Sequence, residues 1–276
     1  MKITTLIENT TKDSLLCEHG LSFYITFEDN SYLLDSGSSD LFLKNADTLE
    51  VDVQNVKCAI LSHAHYDHSG GFSSYLEENK NVNVYCMKGV NTPCYSTSGG
   101  TLHYIGVDET LLEKHNTRFI EIEKPTYIAE HVLLLPHSLE IDTSKSNLYI
   151  KKEGTLIHDD FKHELSLIFE TKNGLVIFNS CSHVGILNII KEVQNVYPNQ
   201  KIYTFIGGLH MKAKKDNQEI SLYSEQEIKE LCMYLKKIGL KHLYTGHCTG
   251  NVAMSYFKKY AEEIVDVLYS GKIIQL

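Results

Sequence analysis

Apolar positions in this chain recur mostly at every second residue, in short runs, and only later at every third or fourth. Leu21-Ser22-Phe23-Tyr24-Ile25-Thr26-Phe27 alternates and is rich in aromatic and β-branched residues, which predicts a strand. Residues 1–7 read as an earlier strand, and Ser31-Tyr32-Leu33-Leu34 as the return after the turn residues Glu28-Asp29-Asn30. Further strands are expected at 58–61, 82–86, 101–105, 132–135, 165–170, 175–179, 202–206, 242–245 and 272–276, with Asn173-Gly174 as a hairpin turn. Helical spacing enters near Phe72 and returns with Ile186, Leu187, Ile189, Ile190 and Val193. Ser224-Glu225-Gln226-Glu227 is a capping-box pattern ahead of the stripe Ile228, Leu231, Cys232, Leu235 and Ile238, which Gly239 stops. A last amphipathic helix is expected over 254–268.

An all-β half is thus expected to lead into a half of alternating strands and helices, without a linker or a visible repeat. This predicts an α/β fold in which residues 1–276 form a single domain of two sheets flanked by helices. The pattern weakens between 89 and 137, where Pro93, Gly99-Gly100 and Gly106 break any long element. Irregular segments of this length commonly serve function. The segment is therefore expected to be an insertion that shapes a substrate pocket, with Tyr95, His103, Tyr104, His115 and Arg118 as candidate contacts.

Charge and composition narrow the partners. Twenty-six basic against thirty-five acidic residues leave a formal charge of −9, which disfavours a nucleic-acid backbone as the main ligand and leaves a small-molecule substrate. No apolar run approaches the roughly 18 residues of a membrane span, and the first residues lack a signal-peptide pattern. Seven cysteines at scattered positions, without a C-x-x-C pair, fit a reducing compartment, so a cytoplasmic location is expected.

The chemistry concentrates behind the apolar run Cys58-Ala59-Ile60-Leu61, in Ser62-His63-Ala64-His65-Tyr66-Asp67-His68-Ser69-Gly70-Gly71. On a strand end the two-residue period points His63 and His65 the same way, while Asp67 and His68 follow on the turn. Gly70-Gly71 are expected to let the chain fold tightly into a helix starting near Phe72. Imidazole and carboxylate are donors that zinc, iron and manganese accept, and structural zinc sites favour cysteine ligands at short spacing instead. His183, His210 and His247 each stand after a predicted strand and beside glycine-containing turns, as does Asp35 in Asp35-Ser36-Gly37.

The motif His63-Ala64-His65-Tyr66-Asp67-His68 resembles the H-x-H-x-D-H signature of the metallo-β-lactamase superfamily. The resemblance implies a four-layer αββα sandwich and a centre of one or two divalent metal ions, zinc ahead of iron or manganese. It implies His63, His65, Asp67, His68, His183 and His247 as metal ligands, with Asp35 supporting them from behind. It further implies Asp67 orienting an activated water and His210 stabilising an oxyanion or donating a proton. The chain departs from the family pattern at Ser180-Cys181-Ser182-His183, where the usual bridging aspartate is absent. Cys181, His183 and Asp160 stand as substitutes, Cys181 otherwise lying behind the ligands. Cys181-Ser182-His183-Val184-Gly185, Gly207-Gly208-Leu209-His210 and Gly246-His247-Cys248-Thr249-Gly250 look like the subfamily of metal-dependent hydrolases that contains an archaeal dihydropterin–ribofuranosylaminobenzene 5′-phosphate synthase. The expected activity is hydrolysis of an ester, lactone, thioester or phosphoester. The alternatives are a synthase-like condensation of a pterin pyrophosphate with an aromatic acceptor, and a non-catalytic metal-binding sensor. The substrate is accordingly expected to be small, phosphorylated or pterin-like.

Overall fold

The computed structural model describes residues 1–12, 14–143, 146–216 and 218–276. They divide into two compact units, one of Met1–Glu123, Glu140–Glu164 and Tyr269–Leu276, the other of Lys124–Leu139 and Leu165–Leu268.

The first unit holds a seven-stranded sheet in the order Ile273–Gln275, Lys2–Ile7, Ser22–Phe27, Asn30–Leu34, Cys58–Ile60, Val84–Met87, Phe119–Ile122. Its first three pairings are antiparallel and its last three parallel. Helices Leu41–Thr48, Phe72–Glu78 and Glu109–His115 lie within the successive parallel connections, as parallel neighbours require a crossover. Ile3, Phe23, Ile25, Leu33, Ile60 and Phe72 are fully buried, each worth about 1.5–3 kcal/mol relative to exposure. A second, four-stranded sheet has the order Thr155–His158, Leu148–Lys152, Cys94–Ser96, His103–Tyr104.

The second unit repeats the plan. Its seven strands run Val265–Val267, His242–Thr245, Ile202–Ile206, Gly174–Phe178, Leu165–Thr171, Val132–Pro136, Thr126–Ala129. Pairings among the first four are parallel and among the rest antiparallel. Helices Ile186–Val196, Glu225–Lys237 and Asn251–Ala261 lie in the parallel connections. The capping box of Ser224 and Glu227 is formed in both directions.

Several expectations shift. The helix expected over 254–268 ends at Ala261, because Val265–Val267 leaves it to pair with His242–Thr245. The strand expected at 82–86 runs instead from Val84 to Met87. The segment 89–137 contributes strands to all three larger sheets. Arg118 is engaged structurally, donating to the carbonyls of Val82 and Asn79. Among the described residues no helix is long and apolar enough to cross a membrane.

Candidate metal centre

Parallel register assembles the first half of the site. Leu34 pairs with Ile60, so the loops leaving both strands emerge at the same sheet edge, and Asp35 N–H donates to the Ile60 carbonyl at 2.8 Å. The carboxyl ends of parallel strands are where open α/β sheets place their ligands. The strand itself stops at Ile60, and His63 and His65 follow in the loop. Their rings are nonetheless 4.6 Å apart, with the His68 ring 4.2 Å from His63.

Asp35 orders this loop from behind and is completely buried. Its Oδ1 accepts the Ser62 N–H at 2.7 Å, and its Oδ2 accepts the Ser62 hydroxyl at 2.7 Å. His68 Nδ1 lies 2.8 Å from the same Oδ2, and His63 Nδ1 lies 2.8 Å from Ser62 Oγ. The carboxylate only accepts, and the Ser62 proton is committed to it. Each imidazole therefore donates from Nδ1, which leaves Nε2 as the nitrogen that would face a metal. His68 Nε2 lies 3.7 Å from Asp67 Oδ2, so the two stand close enough to share a cation. Burial pushes His65 down to about 3, so that ring is neutral. Imidazole and carboxylate donors gathered in this way fit a divalent transition metal. Exposed His19, distant from the motif in sequence, brings its Nε2 to 3.3 Å from Asp67 Oδ2.

Gly70 and Gly71 serve a different end from the one expected. Gly70 has ordinary helical angles, and a Cβ there would stand 2.1 Å from the Ser38 carbonyl oxygen. At Gly71 a Cβ would meet Ser36 O at 2.3 Å. These glycines admit the loop after Asp35 against the histidine turn.

The four-stranded sheet borders the same turn, since Tyr66 N–H donates to the Ile105 carbonyl at 2.9 Å. From it come two buried residues that sequence reasoning missed, Asp159 and His163. Burial works against a charge on Asp159, but hydrogen bonds from His163 and the Phe161 N–H hold its carboxyl below the usual range. Its neighbour Asp160, considered as a substitute for the bridging aspartate, is instead half-buried and paired with Lys152 at 3.2 Å.

In the second unit the strand ends supply one histidine each. His183 follows Gly174–Phe178, His210 follows Ile202–Ile206, and His247 follows His242–Thr245. The His183 and His210 rings are 4.2 Å apart. Cys181 is buried with its Sγ 3.4 Å from Cys248 Sγ, and the His210 N–H points at Cys248 Sγ at 3.3 Å. Burial would raise Cys248, but contact with Cys181 and the neighbouring His247 and His210 hold it well below an ordinary thiol. Cys58 and Cys86, by contrast, are pushed by burial to about 12 and behave as small apolar residues. Asn179 receives the Ser182 N–H at 2.6 Å, and its amide reaches Ser166 and His137.

Both halves hold residues other than glycine at positive φ: Asp35 at 59°, Ser182 at 53°, His210 at 46° and His247 at 49°. Such conformations cost about 1–3 kcal/mol each and gather where geometry serves function.

Several known proteins are similar to this chain. The family model described as Metallo-beta-lactamase superfamily matches residues 16–156. A 7,8-dihydropterin-6-methyl-4-(beta-D-ribofuranosyl)-aminobenzene-5′-phosphate synthase of Methanocaldococcus jannaschii is 30% identical, over 100% of this chain and 96% of its own. The solved structure of Tm1679, a metal-dependent hydrolase of the beta-lactamase superfamily, is 28% identical with a TM-score of 0.80, covering 100% of this chain and 99% of that one. Zinc-bound PqqB from Methylobacterium extorquens shares the fold at a TM-score of 0.60 and 10% identity, with full coverage of both chains.

Proposed function

Because the chain belongs to the metallo-β-lactamase superfamily, we propose that it is a metal-dependent hydrolase of a small ester, lactone, thioester or phosphoester. His63, His65, Asp67 and His68 are the proposed ligands, joined on the superfamily pattern by His183 and His247. The observation that carries the reading is the Asp35 carboxylate, which draws the Nδ1 protons of His68 directly and of His63 through Ser62. A metal-binding imidazole needs this arrangement, because the opposite nitrogen must stay unprotonated.

A divalent metal, zinc ahead of iron or manganese, supplies Lewis acidity when bound there, lowering the pKa of water and polarising a carbonyl or phosphoryl oxygen. The chain's own residues do the rest. Asp67 orients the attacking water, and His210 serves as donor to the developing oxyanion or leaving group. Tyr95 and Tyr104, on the small sheet that borders the histidine turn, are proposed as contacts for a ring-bearing substrate.

The full-length likeness to the archaeal synthase favours one further reading, in which the substrate is a pterin pyrophosphate that condenses with an aromatic acceptor. Zinc-loaded protein assayed against phosphoesters, lactones and thioesters, with diphosphate release followed in parallel, separates the two. Turnover of a single ester, absent in H63A and D67A, supports the hydrolase. Diphosphate release that needs both pterin and acceptor supports the synthase. Equal turnover in wild type and both variants rejects either.

A further inference from the structure

We infer that His163, anchored by Asp159, is the positioning residue that fixes the backbone between His63 and His65. The inference rests on the reading of that turn as a metal site. His65, Cys94, Asp159 and His163 are all buried and offer donor atoms within 4.8 Å of one another, a set that invites reading as a separate cation site. The hydrogen bonds argue for another role. His163 Nδ1 accepts the Ala64 N–H at 3.2 Å, which engages the lone pair on that nitrogen. In the neutral ring the proton then sits on Nε2, which faces Asp159 Oδ2 at 3.0 Å. A cation on Nε2 would require both nitrogens to be stripped of protons. Two other members are already hydrogen-bonded, since Asp159 Oδ1 accepts the Phe161 N–H at 2.8 Å and the Cys94 thiol reaches the Thr92 carbonyl at 3.3 Å.

What this assembly does hold is the peptide before Ala64. Ala64 separates the two candidate ligands, so anchoring its N–H fixes the plane from which His63 and His65 depart. The His163 ring also lies nearly parallel to His63, at 6.2 Å and 16°, and edge-on to His65 at 5.4 Å. One imidazole thus limits the swing of both rings and the backbone joining them. Supporting contacts of this kind govern metal affinity without touching the metal.

Three substitutions in the full chain test this. Asparagine places its side-chain oxygen near the position of Nδ1, so H163N keeps an acceptor for Ala64. H163Q keeps a donor toward Asp159 but no acceptor, and H163A keeps neither. Cobalt(II) affinity, measured by chelator competition, is expected to fall about 10–100-fold in H163A and H163Q and to stay near wild type in H163N. The visible cobalt spectrum is expected to change in the same order, while thermal unfolding of the metal-free proteins reports folding separately. Should H163A fail to fold, the ranking of H163N above H163Q carries the decision. Equal affinities in those two variants would overturn the inference. So would loss of one whole equivalent of cobalt with the rest bound normally, which would make the cluster a cation site. A wild-type chain that binds no cobalt would overturn the metal reading itself, and this inference with it.

Discussion

The two units share a plan of seven strands, three antiparallel pairings followed by three parallel ones, yet they present histidines in opposite ways. In the first, His63, His65, Asp67 and His68 lie on one turn, and a single carboxylate, Asp35, orders it. In the second, His183, His210 and His247 come from three separate strand ends, and the loops are set by Asn179 and by the Cys181–Cys248 contact. A local cluster gets its geometry from sequence spacing and one buried anchor. A dispersed set depends on the register of a whole sheet. The first should therefore answer sharply to single substitutions, and the second more to changes in the loops that carry it.

The largest effect is expected from removing a member of the turn. H63A and D67A should lose metal retention, seen by elemental analysis, and turnover should fall to background. Next comes the anchor. D35N removes the charge that His68 meets directly and His63 through Ser62, and zinc affinity by chelator competition should drop about 10–100-fold. Wild-type affinity in D35N would mean that the turn orders itself, and the contrast between the units would lose its basis.

Glycine substitutions compare the loops directly. A Cβ at Gly70 would lie 2.1 Å from Ser38 O, and one at Gly207 would lie 1.9 Å from Asn179 O, the latter also at φ of 138°. G70A and G207A should each cost about 1–3 kcal/mol in urea unfolding. G207A should be the worse, because backbone strain adds to the clash.

The smallest effect concerns pH and is read at Glu192 of the second unit. Burial disfavours the charge on Glu192, but His137 and the Ser138 N–H outweigh it and lower its pKa to about 2 from an ordinary 4.5. A depressed carboxylate adds stability that is complete above the unfolded value and disappears as pH falls through the folded one. Stability should thus decline between about pH 4.5 and 2, with a shallower slope in E192Q than in wild type. Identical slopes would remove Glu192 from the account.

Much of this could be read in the chain because it is local. The alternation of residues 21–27, the capping box at Ser224 and the spacing of His63, His65, Asp67 and His68 depend on neighbours a few positions away. Asp35 was legible only together with the histidine motif, since a lone aspartate at a strand end reads first as a turn residue. The clamp of His163 on Ala64 was not, since 99 residues separate them and only the fold brings them together. The same holds for His137 and Glu192, 55 residues apart. Residues 262–268 misled for a different reason. Ile264, Val265 and Leu268 continue a helical apolar spacing, yet pairing with the strand at His242–Thr245 wins over propensity. Gly70 and Gly71 were visible, but the loop they admit was not.

The central claim is that the turn from His63 to His68 holds a metal. Elemental analysis of protein purified without added metal, with H63A and H247A alongside, tests it most directly. About one to two equivalents of zinc, iron or manganese are expected on the wild-type chain. H63A should lose that metal, and H247A should retain the larger share of it, as a local cluster would. A wild-type chain without metal, or metal content unchanged in H63A, would contradict the account.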